Sequence, residues 1–222
     1  MAPRLHCIID IAKILRLITE EGADVHGRNI DGTTALHLAR SSAAAHTLIE
    51  NGADVNAKNS RGISPLHRAR NLGVARVLLE NGAVVNAMDS FGNSALHLSN
   101  DVEVARLLLK YSASITQRNL KREPPIHMST YGSKVLALAK AGADIDAVDM
   151  KGRTVLMKKA RCFYVFRLLS TLLSLNPSIF FKDVDGKTAI DYTVDATGKT
   201  TLLKYRVEQN WRRRKMLVLV RE

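Results

Sequence analysis

Two apolar patterns alternate along the chain. A four-residue anchor opens each segment: TALH (Thr34 to His37), SPLH (Ser64 to His67), SALH (Ser94 to His97), PPIH (Pro124 to His127), TVLM (Thr154 to Met157) and TAID (Thr188 to Asp191). Successive anchors are separated by 30, 30, 30, 30 and 34 residues. Behind each runs a stretch with apolar residues at i, i+3 and i+4, as Val74, Val77 and Leu78 in one copy and Val104, Leu107 and Leu108 in the next. That spacing puts the three on one helix face. The pattern predicts a short helix at the anchor and a second, antiparallel one after it, repeated at the fixed period of a stack of supersecondary units.

The polar interruptions fit the same frame. A glycine follows the second helix (Gly22, Gly52, Gly82, Gly142), where a left-handed C-cap costs least without a Cβ. Turns such as NSRG, DSFG and DMKG come next, opening on Asn or Asp and closing on Gly. The anchor Thr or Ser then caps the new helix, with Pro65 at the first helical position of one copy, where its missing N–H costs nothing. A chain of 222 residues with 46% hydrophobic content could form one core or an array. The aromatic content of 5% suits many small Ala, Leu and Val contacts, and the period decides for the array.

Gly52, Ala53, Asp54, Val55, Asn56 and Ala57, followed by Gly62, Ser64, Pro65, Leu66 and His67, resemble the ankyrin repeat, and the resemblance runs over nearly the whole chain. It implies an all-α solenoid of about seven helix-turn-helix repeats with protruding turns. The expected layout is a single domain over 1–222, with an N-terminal repeat (1–32), four short repeats (33–152), a longer repeat (153–186), and a terminal repeat with a basic capping helix (187–222). The period is short for this family, whose repeats are usually near 33 residues. The missing residues fall between the helices, which predicts a tight interhelical turn. The fifth repeat departs furthest: Ser112, Ser114 and Thr116 replace the Gly, Asp and Asn, and Arg122 stands at the turn glycine. A positive φ at Arg122 stores strain on the order of 1–3 kcal/mol, making this turn the expected hinge or remodelled site.

Catalytic and metal chemistry find no footing. His37, His67, His97 and His127 recur in register, but equivalent positions in adjacent repeats lie roughly 8–10 Å apart, whereas zinc ligands sit about 2 Å from their metal. Structural imidazoles that join consecutive repeats are expected instead. Cys7 and Cys162 fall five repeats apart, too far for a disulfide, and read as free thiols. GKTT (Gly198 to Thr201) lacks the upstream glycine spacing of a phosphate loop and reads as a helical turn. No enzyme activity, cofactor or metal is expected. The resemblance also implies that Asn56, after Asp54 and Val55, is a possible substrate of an asparaginyl hydroxylase.

Function is therefore expected on the surface, in positions that vary between copies and project from the turns and inner helices into one concave face. At the turn tips these are Ile30, Arg61, Phe91, Leu120, Lys121, Met150 and Lys151. After the turn glycine they are Ile63, Asn93 and Arg153. Phe91, Leu120 and Met150 stand out as apolar anchors flanked by cations. The expected role is a noncatalytic scaffold or adaptor, a monomer that binds another protein.

Charge adds a second reading. Residues 1–150 carry 17 basic and 15 acidic side chains, while residues 151–222 carry 16 and 6. Lys158, Lys159, Arg161, Arg212, Arg213, Arg214 and Lys215 form a candidate patch for an anionic ligand, either nucleic acid or an acidic protein segment. The run WRRRKMLVLVRE (Trp211 to Glu222) also suits a last helix whose Leu217, Val218 and Val220 cover the end of the stack. The richest apolar run, CFYVFRLLSTLLSL, contains Arg167 and is shorter than the roughly 20 residues of a membrane span. Asp10 and Lys13 interrupt any signal-peptide core. No membrane insertion is expected, and the expected location is intracellular, in cytoplasm or nucleus.

Overall fold

The computed structural model describes residues 22–161 and 166–219, with the side chains of Phe166, Arg167 and 213–219 excepted. The chain forms two compact units, Met1–Leu120 and Lys121–Glu222. The division falls inside the degenerate turn of the fifth repeat. The described residues are helical and form no named strand; one isolated bridge joins Val148 to Thr154. The first repeat and Cys7 lie outside the described residues, as does Cys162.

In the first unit, one-turn inner helices, Leu36–Leu38, Pro65–Arg68 and Ala95–Leu98, alternate with nine-residue outer helices α1 (Ser42–Glu50), α2 (Leu72–Glu80) and α3 (Val102–Lys110). Each inner turn places its apolar anchor residue, Leu36, Leu66 or Leu96, in the core. Each outer helix adds a leucine (Leu48, Leu78, Leu108) and, three residues earlier, an alanine (Ala45, Ala75, Ala105). Each buried leucine contributes about 1.5–3 kcal/mol, and the alanine column lets α2 pack closely on α1 and α3.

The junction between the helices is as tight as the short period predicts, and the inner helix is a single turn. It stops because the next residue is extended: ψ is 126° at Ala39, 111° at Ala69 and 129° at Ser99. Three-residue linkers then lead into side-chain caps that carry the outer helices. Ser41 Oγ accepts the Ala44 N–H at 3.1 Å, Asn71 Oδ1 that of Val74 at 2.9 Å, and Asp101 Oδ1 that of Glu103 at 2.7 Å.

The second unit continues the plan with an inner turn, Pro125–Met128, and the helices α4 (Gly132–Lys140), α5 (Val155–Ala160), α6 (Phe166–Ser174) and α7 (Ala196–Leu219). The terminal anchor Thr188 to Asp191 forms a turn and no helix, closed by the Thr188 N–H and hydroxyl, both 2.7 Å from Asp191 Oδ2. GKTT lies in the first turns of α7, where Asp195 Oδ1 accepts the Gly198 N–H at 2.6 Å. α7 docks through buried Leu202, the Tyr205 hydroxyl, which donates to Pro177 O at 3.2 Å, and Gln209 Nε2, which donates to the same carbonyl at 2.9 Å. The side chains of Leu217, Val218 and Val220, expected to cover the end of the stack, lie outside the described residues.

Glycines or their substitutes take the left-handed positions. At the outer-helix ends Gly52 and Gly82 have φ 90° and 83°, and Ser112 holds φ 63° in the degenerate copy. Arg122 keeps φ 58° at the turn position, against 68° and 76° at Gly62 and Gly92.

Candidate protein-interaction surface

The turns owe their shape to their first residue. Asn59 Oδ1 accepts the N–H groups of Arg61 and Ile63, both at 3.0 Å, and Asp89 Oδ1 those of Phe91 and Asn93, both at 2.8 Å. Asp149 and Asp183 do the same in the second unit. The Asx side chain thus turns inward and leaves the next two residues as the tip.

Adjacent tips are joined by backbone hydrogen bonds. In the first unit the Ser60 N–H donates to Asp31 O at 2.9 Å, the Ser90 N–H to Arg61 O at 2.9 Å, and the Leu120 N–H to Phe91 O at 3.0 Å. In the second, Met150 donates to Lys121 O at 2.9 Å and Val184 to Lys151 O at 3.0 Å. The approach is closest at Gly92, where a Cβ would sit 2.9 Å from Leu120 N.

This ladder holds apolar side chains out in solvent. Ile30 is 99% exposed, Phe91 58% and Leu120 72% in the first unit; Met150 is 58% and Val184 70% exposed in the second. Arg61, Lys121 and Lys151 are exposed beside them.

The column after the turn glycine behaves differently from the sequence expectation. Asn93 is buried, with Nδ2 donating to Asp89 Oδ2 at 3.1 Å and Oδ1 accepting from Asn119 Nδ2 at 2.9 Å. Thr33 and Glu123 are buried too, because the neighbouring turn stacks over this position. Ile63 is half-buried, and its carbonyl accepts from His37. Arg153 is half-buried and spends its charge on Asp149, with Nε at 3.0 Å and an Nη at 2.7 Å. Burial pushes the Asp149 carboxyl up, but the hydrogen bonds from Arg153 and Lys151 outweigh it and hold it below the usual range. Asn93 is thus buried where the sequence suggested a surface position, and Arg153 is half-buried in its ion pair with Asp149.

The basic candidates are similarly divided. Lys158 pairs with buried Glu123. Lys159 is half-buried, and Arg161 and Arg212 are exposed. Arg213, Arg214 and Lys215 have side chains outside the described residues.

The histidines join repeats. His37 Nε2–H donates to Ile63 O at 2.8 Å, His67 to Asn93 O at 3.0 Å and His127 to Arg153 O at 3.0 Å. Nδ1 is then the acceptor, and the anchor residue supplies its donors: the hydroxyls of Thr34, Ser64 and Ser94 lie 2.9, 2.8 and 2.9 Å from Nδ1 of His37, His67 and His97. The backbone N–H of Thr34, Ser64 and Ser94 approaches the same atom at 3.1–3.2 Å. Pro124 offers neither group, and His127 Nδ1 is buried without a partner. Burial lowers the pKa of His37, His67 and His127, against the opposing effect of the carbonyls they bond. Among the described residues no cluster of three or more His, Cys, Asp or Glu could hold a metal ion, and no helix is long and apolar enough to cross a membrane.

The family model for ankyrin repeats in three copies matches residues 5–89 and 41–119. Among solved structures, the human ASB11 ankyrin repeat domain superposes with a TM-score of 0.74 at 24% identity, covering 86% of this chain and 91% of that one. The ankyrin repeat domain of Bcl-3, described as a unique member of the IkappaB protein family, gives 0.64 at 22% identity with the same coverage. At these identities the likeness shows the fold. No curated protein matches in sequence.

Proposed function

Because the chain belongs to the ankyrin-repeat family, whose domains are protein–protein interaction modules, we propose that it is a noncatalytic scaffold that binds one partner protein through its turn tips. The observation that carries this reading is the hydrogen-bonded tip ladder with Phe91 and Leu120 exposed on it. A large apolar side chain contributes nothing to a turn whose conformation the Asx residue and the glycine already fix. Held on a rigid backbone it loses little further entropy on binding, which favours affinity. Arg61 and Lys121 flank the apolar tips and supply orientation and encounter rate more than affinity. Met150, Val184 and Lys151 repeat the arrangement in the second unit.

The test is affinity capture from lysate with the wild-type chain, a Phe91→Ala/Leu120→Ala variant and a Met150→Ala variant, each washed at low and high salt. A partner that survives high salt and is lost with the double variant supports the reading. Capture that ignores both variants and disappears with salt removes it, since phosphate-dominated or purely ionic complexes weaken steeply with ionic strength.

A further inference from the structure

The terminal helix carries a second surface that the turn-tip reading does not use. With about 100° between successive residues, Leu202, Tyr205 and Gln209 fall on the face that docks against Asn176 and Pro177. Leu203, Val207 and Trp211, at i, i+4 and i+8, form a stripe turned away from that face, and they are 37%, 67% and 63% exposed. On one flank of the stripe lie Lys199 and Arg206, on the other Lys204, all exposed. Beside the Arg206 flank is a cavity of about 310 Å³. Ile179, Phe180 and Ile190 give it an apolar lining, and Lys182 and Arg206 stand at its exposed side.

We propose that this stripe and cavity form a docking site for an acidic amphipathic helix of a partner protein. Three residues spaced by four along about 12 Å of helix match two turns of an apolar helix face laid alongside. The flanking lysines and arginine then meet carboxylates on either edge of that face. Asp191 accepts two hydrogen bonds from Thr188 and feels the charges of Lys199 and Arg206, which help to hold its carboxyl low, but it forms no ion pair with either, so both cations keep exposed charge for a partner. A second copy of the chain is the wrong occupant: residues 151–222 carry 16 basic and 6 acidic side chains, so self-association would bring like charges together. Nucleic acid would use the cations but leave Leu203 and Val207 uncovered.

Trp211 is the single tryptophan of the chain, so the site reports on itself. The full chain is titrated with a synthetic helix that presents leucines at i, i+4 and i+8 between rows of glutamates, and with a scrambled peptide of the same composition. The expected result is a saturable blue shift of tryptophan emission for the ordered peptide, with affinity reduced about tenfold or more by Val207→Asp and by Arg206→Glu. Phe91→Ala/Leu120→Ala should leave it unchanged, which separates this site from the turn tips. Circular dichroism melts verify that the exposed substitutions leave the fold intact. Equal binding of the scrambled peptide, saturation by a single-stranded oligonucleotide in its place, or no saturable shift overturns the proposal. So does a shift that depends on protein concentration without peptide.

Discussion

Replacing Pro124 should stabilise the second unit, because it would complete a hydrogen-bonding arrangement that the other framework histidines have. In the Ser64 and Ser94 repeats, a hydroxyl and a backbone N–H converge on imidazole Nδ1. At Pro124 both are missing and His127 Nδ1 is left buried and unpaired. The backbone is already suitable, with φ −74° and ψ 166° at Pro124 against −88° and 170° at Ser94. Satisfying one buried acceptor recovers about 1–3 kcal/mol. Losing proline's restriction of the unfolded chain costs about 0.4–1 kcal/mol, so the net gain for Pro124→Ser is on the order of 1 kcal/mol. In a unit of this size each kcal/mol raises Tm by about 4–8 °C. Pro124→Ala restores the N–H without the hydroxyl and should recover part of the gain. Urea unfolding followed by the fluorescence of Trp211, which lies in this unit, reads the effect. An unchanged or lower midpoint for Pro124→Ser at constant m would refute the reasoning.

Three further outcomes follow from the same geometry. Arg122→Gly should raise stability by about 0.5–1.5 kcal/mol by relieving the left-handed φ of 58°, whereas Gly92→Ala should lower it by more, since there a Cβ also meets Leu120 N at 2.9 Å; paired melts decide. Burial lowers the folded pKa of His37, His67 and His127 from 6.5. The unfolded chain therefore binds more protons at these histidines below pH 6.5, and their contribution to stability should be level above that pH and fall beneath it by up to about 1.4 kcal/mol per pH unit for each histidine. Denaturant midpoints at pH 7.5, 6 and 5 measure this, and a flat profile contradicts it. Lys134 is 1% exposed, and burial, with the like charge of Lys159, lowers its pKa to about 7. Above that value the unfolded chain holds the extra proton, so the second unit should gain stability from pH 7 towards 10. Lys134→Met should abolish the gain, which a melt series across pH reads directly.

The repeat was legible because its determinants are local. The period, the glycines at helix ends and the Asn or Asp that opens each turn all lie within a few residues of what they shape. The role of the histidines as links between repeats also follows from their register, and His37 bonding Ile63 bears it out. Non-local geometry hid the rest. Thr33, Asn93 and Glu123 vary between copies as surface residues do, yet they are buried because the neighbouring tip stacks over them some 30 residues along the chain. The short period implied a tight junction but not where each inner helix ends; the extended backbone at Ala39, Ala69 and Ser99 marks that end. Ser41, Asn71 and Asp101 were readable as caps from residue type, but only once the outer helices were known to begin directly after them. Lys134 carries no local sign of its burial.

The central claim, that a partner seats on the turn tips, is tested most directly by placing a photo-crosslinking residue at Phe91 and at Leu120, and as controls at Arg76 and Glu80 on the exposed side of α2. One partner protein should be joined to the chain from the two tip positions and not from the controls. The same adduct formed equally from α2, or formed only from α2, would contradict it.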